Sequence, residues 1–178
     1  SYYKFTVNDD NAIRFGMGAV KGVGSGAVNS IIDGRKEKKY NSIFDLTKNI
    51  DLRAANKKAF DSLVFAGGFD SFKGVHRAQY LHDNGDGITF IEKALKFGSK
   101  FQENKNSAQV SLFENSLDVQ LNEPLIPDCT HWTTLDQLKL EKEVVGIYIS
   151  GHPLDDFRLS MQHFCNASLE ILKNLNLG

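Results

Sequence analysis

The apolar positions of this chain recur with two periods. Tyr3, Phe5 and Val7 alternate with Lys4 and Thr6, and a shorter alternation covers residues 12–15. The turn-forming run Asn8-Asp9-Asp10-Asn11 between them predicts a short β-hairpin. Beyond it the period lengthens to that of helices. Val28, Ile31 and Ile32 fall at i, i+3 and i+4. Ser42, with Asp45 three residues on, starts a capped helix that turns Phe44, Leu46 and Ile50 inward. Residues 54–65 predict the next helix, with Phe60, Leu63 and Val64 on one face, closed by the glycine turn Ala66-Gly67-Gly68. Lys73, His76 and Arg77 lead a further amphipathic segment with Tyr80 and Leu81 inward. After a loop at 82–87, residues 88–101 read as a helix with Ile88, Ile91 and Leu95 as its inner stripe. Its Phe90, Phe97 and Phe101 suit packing better than base stacking. Thr134 caps a helix over 135–149 with Leu135, Leu138, Val145 and Tyr148 inward and Glu141, Lys142 and Glu143 facing water. Ser150-Gly-His-Pro-Leu154 stops it, and Asp155-Asp156 opens a last short helix to Phe164. The class is mainly α with a small β-hairpin at the start.

The chain is organised around Gly22-Val23-Gly24. Two glycines flanking one apolar residue suit a tight turn, with Val23 pinned to the core and the backbone bare of side chains. The N–H groups of Val23, Gly24, Ser25 and Gly26 then head the helix carrying Val28, where orphan donors and the helix dipole favour an anion. That is a helix-hairpin-helix arrangement, which holds a nucleic-acid phosphate without reading a base. Lys21, Gly22 and the lysines Lys36, Lys57 and Lys58 complete the expected DNA contacts. Ala66, Gly67 and Gly68 form a looser second copy, so a pseudo-twofold pair gripping two backbones is one expectation, and an ordinary helix C-cap is the other. A dinucleotide fingerprint starting at Gly16 fails, because glycines continue at 22, 24 and 26 where it needs a helix. A plain glycine turn between helices stays open at this point.

Residues 102–108 carry no apolar anchor and read as a tether. Gln109-Val110-Ser111-Leu112-Phe113 follows, and two readings of it stay open. Leu112 and Phe113 fill a pocket on a partner with the Gln109 amide directing a hydrogen bond, or they pin the loop back onto the chain. The organisation expected is therefore a lead-in over 1–16, a tandem helix-hairpin-helix domain over 17–101, an extended, flexible loop and irregular segment over 102–133, C-terminal helices packing back over 134–165, and a tail over 166–178.

The 178 residues carry a net charge of −1, so any nucleic-acid contact must come from local patches and not from a global field. Two cysteines, Cys129 and Cys165, suit a reducing cytoplasmic setting, and no apolar run is of membrane-spanning length. The chain does not open with Met, and both ends resemble cuts through a longer polypeptide. Cys129-x-His131 and His163-x-Cys165 have the wrong spacing for structural zinc, and 82–87 lacks the acids of a calcium loop. His152 reads as a turn residue. No metal and no catalytic constellation is expected in these residues.

Four stretches taken in order carry a resemblance: Ile13-Arg-Phe-Gly-Met-Gly-Ala-Val-Lys-Gly-Val-Gly24, Phe65-Ala-Gly-Gly-Phe-Asp-Ser71, Gln109-Val-Ser-Leu-Phe113 and Glu141-Lys-Glu-Val-Val-Gly-Ile-Tyr-Ile-Ser-Gly-His-Pro-Leu154. Together they resemble the C-family bacterial replicative polymerases, the DNA polymerase III α subunits, over roughly residues 5–154. The resemblance implies a region that binds double-stranded DNA behind the active site and carries the motif for the β sliding clamp: Gln, two variable residues, Leu or Met, then Phe. It also implies other replicase subunits as partners. The family's catalytic carboxylates, with their Mg2+, lie earlier in its chain and an OB-fold lies later, so no cofactor belongs to this segment. Gly67-Gly68 departs from the Gly-Ala commoner there. A helix-hairpin-helix repair enzyme (glycosylase or nuclease) and a pure protein-interaction module are the competing functions.

Overall fold

A computed structural model describes residues 1–110 and 121–165, side chains of 108–110 excepted. Two short antiparallel strands, β1 (Thr6–Val7) and β2 (Ile13–Arg14), pair Thr6 with Arg14 and Val7 with Ile13. Asn8 closes the turn, its side-chain oxygen accepting from the Asp10 and Ala12 amides. Seven α-helices follow among the described residues: α1 (Ser25–Glu37), α2 (Ile43–Asn49), α3 (Lys57–Phe65), α4 (Arg77–Leu81), α5 (Phe90–Val110), α6 (Thr134–Val145) and α7 (Arg158–Phe164). Single 3₁₀ turns stand at Met17–Ala19 and Asp155–Phe157.

The core forms where α5 crosses α2 and α3. Phe44 of α2 meets Phe90 and Phe97 edge-on, with ring centroids 5.8 and 5.4 Å apart. Phe60, Phe69 and Tyr80 continue that aromatic layer under α3 and α4. Ser42 caps α2 as expected, its Oγ accepting the Asp45 N–H, while α6 is capped by Thr133 and not by Thr134, and α3 begins at Lys57 under an Asn56 cap and not at residue 54.

Four expectations are corrected. Residues 102–108 are not a tether; together with 109 and 110 they continue α5, because Gln102 Nε2 donates to the Thr47 and Ile50 carbonyls at 2.8 and 2.9 Å and nothing in the run breaks a helix. The inner stripe of α5 is Phe90, Ile91, Ala94 and Phe97, with Ile88 and Leu95 only half-buried, since the helix packs against α2, α3 and α4. α6 ends at Val145 on a left-handed Gly146, four residues early, and Leu135 is exposed while Glu141 is buried. α6 packs on α3, but α7, expected to pack back as well, buries none of its side chains.

The irregular segment from 121 is anchored at several points. Gln79 Nε2 donates to the Pro127 carbonyl at 2.7 Å, Lys48 pairs with Glu123 at 2.7 Å, and Trp132 lies over Phe65. Ser111, Leu112 and Phe113 of the peptide motif, and the tail 166–178, lie outside the described residues. Gln109 and Val110 close α5.

Candidate nucleic-acid interface

The turn at 20–24 is set by three backbone bonds. Val20 N donates to Met17 O at 3.2 Å, Val23 N to Val20 O at 3.1 Å, and Lys21 N to Val144 O at 2.8 Å. Val20 and Val23 are buried in the core, so the turn is pinned from beneath. The leading helix of the motif is thus a lone 3₁₀ turn, and α6, far along the chain, supports the hairpin through Val144. Gly22 sits at φ +88°, a conformation that side chains disfavour, and a Cβ there would stand 3.1 Å from Ser62 Oγ.

Gly24 caps α1 with an ordinary extended backbone and no side-chain bond, and a Cβ on it would meet nothing within 4 Å. Gly22, Gly24, Ser25 and Gly26 are exposed, and none of their amides donates to another described residue. The head of α1 therefore presents a bare, open set of N–H donors. The Val23 amide is not among them, since Val20 O takes it.

The lysines divide. Lys58 runs its stem past the turn, 3.6 Å from where a Gly22 Cβ would stand, and Lys21 is exposed beside it. Lys57 pairs with Asp61 at 3.0 Å on another face of α3. Lys36 pairs with Asp33 at 2.8 Å near the far end of α1, about 16 Å from Ser25 along the axis at 1.5 Å per residue. The helix thus carries Lys36 away from the hairpin itself, and its expected contact would fall on a different stretch of the backbone.

The second turn is a helix end. Ala66 N donates to Ser62 O, Gly67 N to Val64 O and Gly68 N to Leu63 O, so all three amides are consumed in finishing α3. The next helix does not begin until Arg77. Ala66, Gly67 and Gly68 have no donors left for a phosphate, which corrects the pseudo-twofold grip.

What occupies that corner is an ion-pair network that composition did not reveal. Arg77 donates to Asp70 at 2.6 Å, to the Phe65 carbonyl at 3.3 Å and to Glu141 at 2.7 Å. Glu141 Oε2 accepts the Ile149 and Ser150 amides, each at 3.0 Å. Burial alone would raise the Glu141 carboxyl, but the Ser150 amide, Arg77 and the Ile149 amide outweigh it and hold it below the usual carboxylate range. The helical period offered a signal: Glu141 lies three residues after the inward Leu138.

His131 stacks on His76 at 3.7 Å, and His76 Nε2 lies 3.2 Å from the Cys129 carbonyl, while Cys165 follows α7 and is exposed. The two Cys/His pairs thus serve different parts of the molecule, and no group of three His, Cys, Asp or Glu capable of holding a metal occurs among the described residues. His152 Nδ1 accepts from the Leu154 amide inside its own turn. No helix among the described residues is long and apolar enough to cross a membrane.

Residues 1–80 match the family described as the helix-hairpin-helix motif. The exposed turn at the head of α1 is therefore part of a helix-hairpin-helix domain. The chain as a whole is similar to DNA polymerase III subunit alpha: 30% identical to that of Pseudomonas aeruginosa over 187 aligned positions, covering 97% of this chain and 16% of the relative. It is 29% identical to that of Pseudomonas fluorescens over 190 positions, with the same coverage. Against the Escherichia coli K12 subunit it is 30% identical over 164 positions, covering 91% of this chain and 13% of the relative. Over nearly its whole length the chain is thus similar to one segment of DNA polymerase III alpha subunits, and it spans about one-sixth of the length of the curated relatives it matches.

Proposed function

We propose that this chain is the DNA-holding segment of a replicative DNA polymerase: it does no chemistry itself, and it grips duplex backbone at the 22–26 turn. The observation that carries the reading is the open row of amides on Gly22, Gly24, Ser25 and Gly26, flanked by Lys21 and Lys58. Uncommitted N–H groups at the head of a helix suit a phosphate oxygen, and the absent side chain at Gly24 lets it come close. Such contacts position a duplex without reading sequence. The relatives' names supply the polymerase context.

The same reading gives Gln109-Val110-Ser111-Leu112-Phe113 to a sliding clamp. Its support is the sequence pattern, together with anchors on both sides of it: Gln102 before, and Glu123 and Pro127 after. A DNA grip and a clamp ligand on one chain reinforce each other through effective concentration.

Titrating the chain with a labelled duplex of arbitrary sequence at 50 and 200 mM salt tests the grip. A log–log slope of about −0.9 for each phosphate neutralised is expected, and binding that ignores salt overturns it. Changing Leu112 and Phe113 together to Ala is expected to abolish capture by the β clamp in a pull-down and leave the duplex isotherm unchanged. Clamp capture that persists removes that assignment.

A further inference from the structure

We infer that the groove between the start of α3 and the middle of α5 is a second phosphate-backbone site, continuous with the 22–26 turn, a placement that rests on the DNA reading of that turn. The groove encloses about 450 Å3. Leu52 and Leu95 contribute apolar lining, and Lys57, Lys96, Lys100 and Glu103 line it as well. Lys96 and Lys100 form no ion pair with another described residue. The acids nearby are Glu103 on the rim, Asp61, which is bonded to Lys57, and Glu92, which takes the Thr89 amide and hydroxyl.

Continuity with the turn comes from residues 54–58. The Ala54 methyl lies 3.6 Å from where a Gly26 Cβ would stand, and the Lys58 stem lies equally close to Gly22. Lys57, the next residue back on the same turn of α3, faces the groove. Adjacent residues on a helix point about 100° apart, so one turn of α3 delivers one lysine to each place. Lys96 and Lys100 are four apart on α5, which sets their Cβ atoms about 5–6 Å from each other. A DNA strand carries one phosphate per 3.4 Å of axis, so the pair can follow a backbone across neighbouring phosphates. Lysine stems lying along apolar surface, with the Lys96 and Lys100 ammonium groups unpaired among the described residues, are how long cations reach a polyanion beside a hydrophobic surface. The ligand class is the sugar-phosphate backbone of the duplex already held at the turn. This site takes the place of the grip that Ala66-Gly67-Gly68 does not offer.

The test compares the 178-residue chain with Lys96→Gln/Lys100→Gln, and with Lys73→Gln as a single-charge control outside both places. Each is titrated with a 20-base-pair duplex at several salt concentrations. The double variant is expected to lower the magnitude of the salt slope by about 2 and affinity at 0.1 M salt by on the order of tenfold, with an unchanged melting temperature. A double variant no weaker than Lys73→Gln overturns the groove while leaving the turn standing. Loss of affinity in the double variant alongside full affinity in Gly24→Asp keeps the groove as a DNA site and overturns its dependence on the turn. A wild-type chain that binds no duplex overturns both.

Discussion

Gly24→Asp is expected to lower duplex affinity ten- to hundredfold at 0.1 M salt while leaving the melting temperature unchanged or slightly raised. The backbone of Gly24 is extended, at φ −77° and ψ 162°, and any residue adopts it. A Cβ there meets open space, so the fold has nothing to give up. Asp is a better helix cap than Gly, by a few tenths of a kcal/mol, because its carboxylate accepts from the second and third amides of the helix. The first of these, on Gly26, is one of the donors a phosphate would use. The new carboxylate occupies the anion's place and adds a like charge within about 4 Å of it, a repulsion of about 4 kcal/mol at an effective dielectric of 20 before salt screening. A tenfold to hundredfold loss corresponds to about 1.4–2.8 kcal/mol, well inside that bound. Fluorescence anisotropy against a duplex, run beside a thermal melt, separates folding from binding. Wild-type affinity in a stably folded Gly24→Asp chain would remove the turn from the interface.

Arg77→Leu is expected to cost about 3–5 kcal/mol of stability, because it strands a buried charge. Glu141 is wholly enclosed, and Arg77 is its only cationic partner among the described residues. At about 2–4 °C per kcal/mol for a chain of this size, the melting temperature falls by on the order of 10 °C. The double change Arg77→Met/Glu141→Leu is expected to recover most of the loss, since an apolar pair of similar volume needs no solvation. The pH dependence has a definite sign. Glu141 has a folded-state pKa below its unfolded value of about 4.3. Its contribution is therefore complete above about pH 5 and disappears as the pH drops through the folded-state pKa. Melting curves from pH 7 to pH 3 should show the wild type losing stability more steeply below pH 5 than the double variant. Parallel curves would mean that Glu141 is not the acid-sensitive group.

How much could be read in advance depended on whether a signal was local. The first glycine turn was legible because its causes sit within five residues: a positive φ at Gly22, an apolar anchor at Val23 and a bare cap at Gly24. The Ser42 cap and the Asn8 turn were legible for the same reason. The second turn was ambiguous in principle, since a helix end and a phosphate-holding bend use the same glycines. Only the destinations of the 66–68 amides separate the two. Charge and period point opposite ways at Glu141, and period prevails: residue 141 shares the inner face with Leu138 because Arg77 and two amides take up its carboxylate. Nearness in sequence does not put Lys36 beside the turn, because the rise of the helix lies between them. The length of α5 turned on Gln102, whose two carbonyl partners lie more than fifty residues earlier. Composition gave no hint of them.

The single bond from the Lys21 amide to the Val144 carbonyl means that the recognised motif and the cooperative unit have different borders. A piece trimmed at residue 80 would retain every residue matched to the motif. It would nonetheless surrender the acceptor that seats the bend and the buried one of the two carboxylates paired with Arg77. Autonomy in this molecule therefore extends to the Ile149-Ser150 corner, and a shorter excision would carry the pattern of the domain without its foundations.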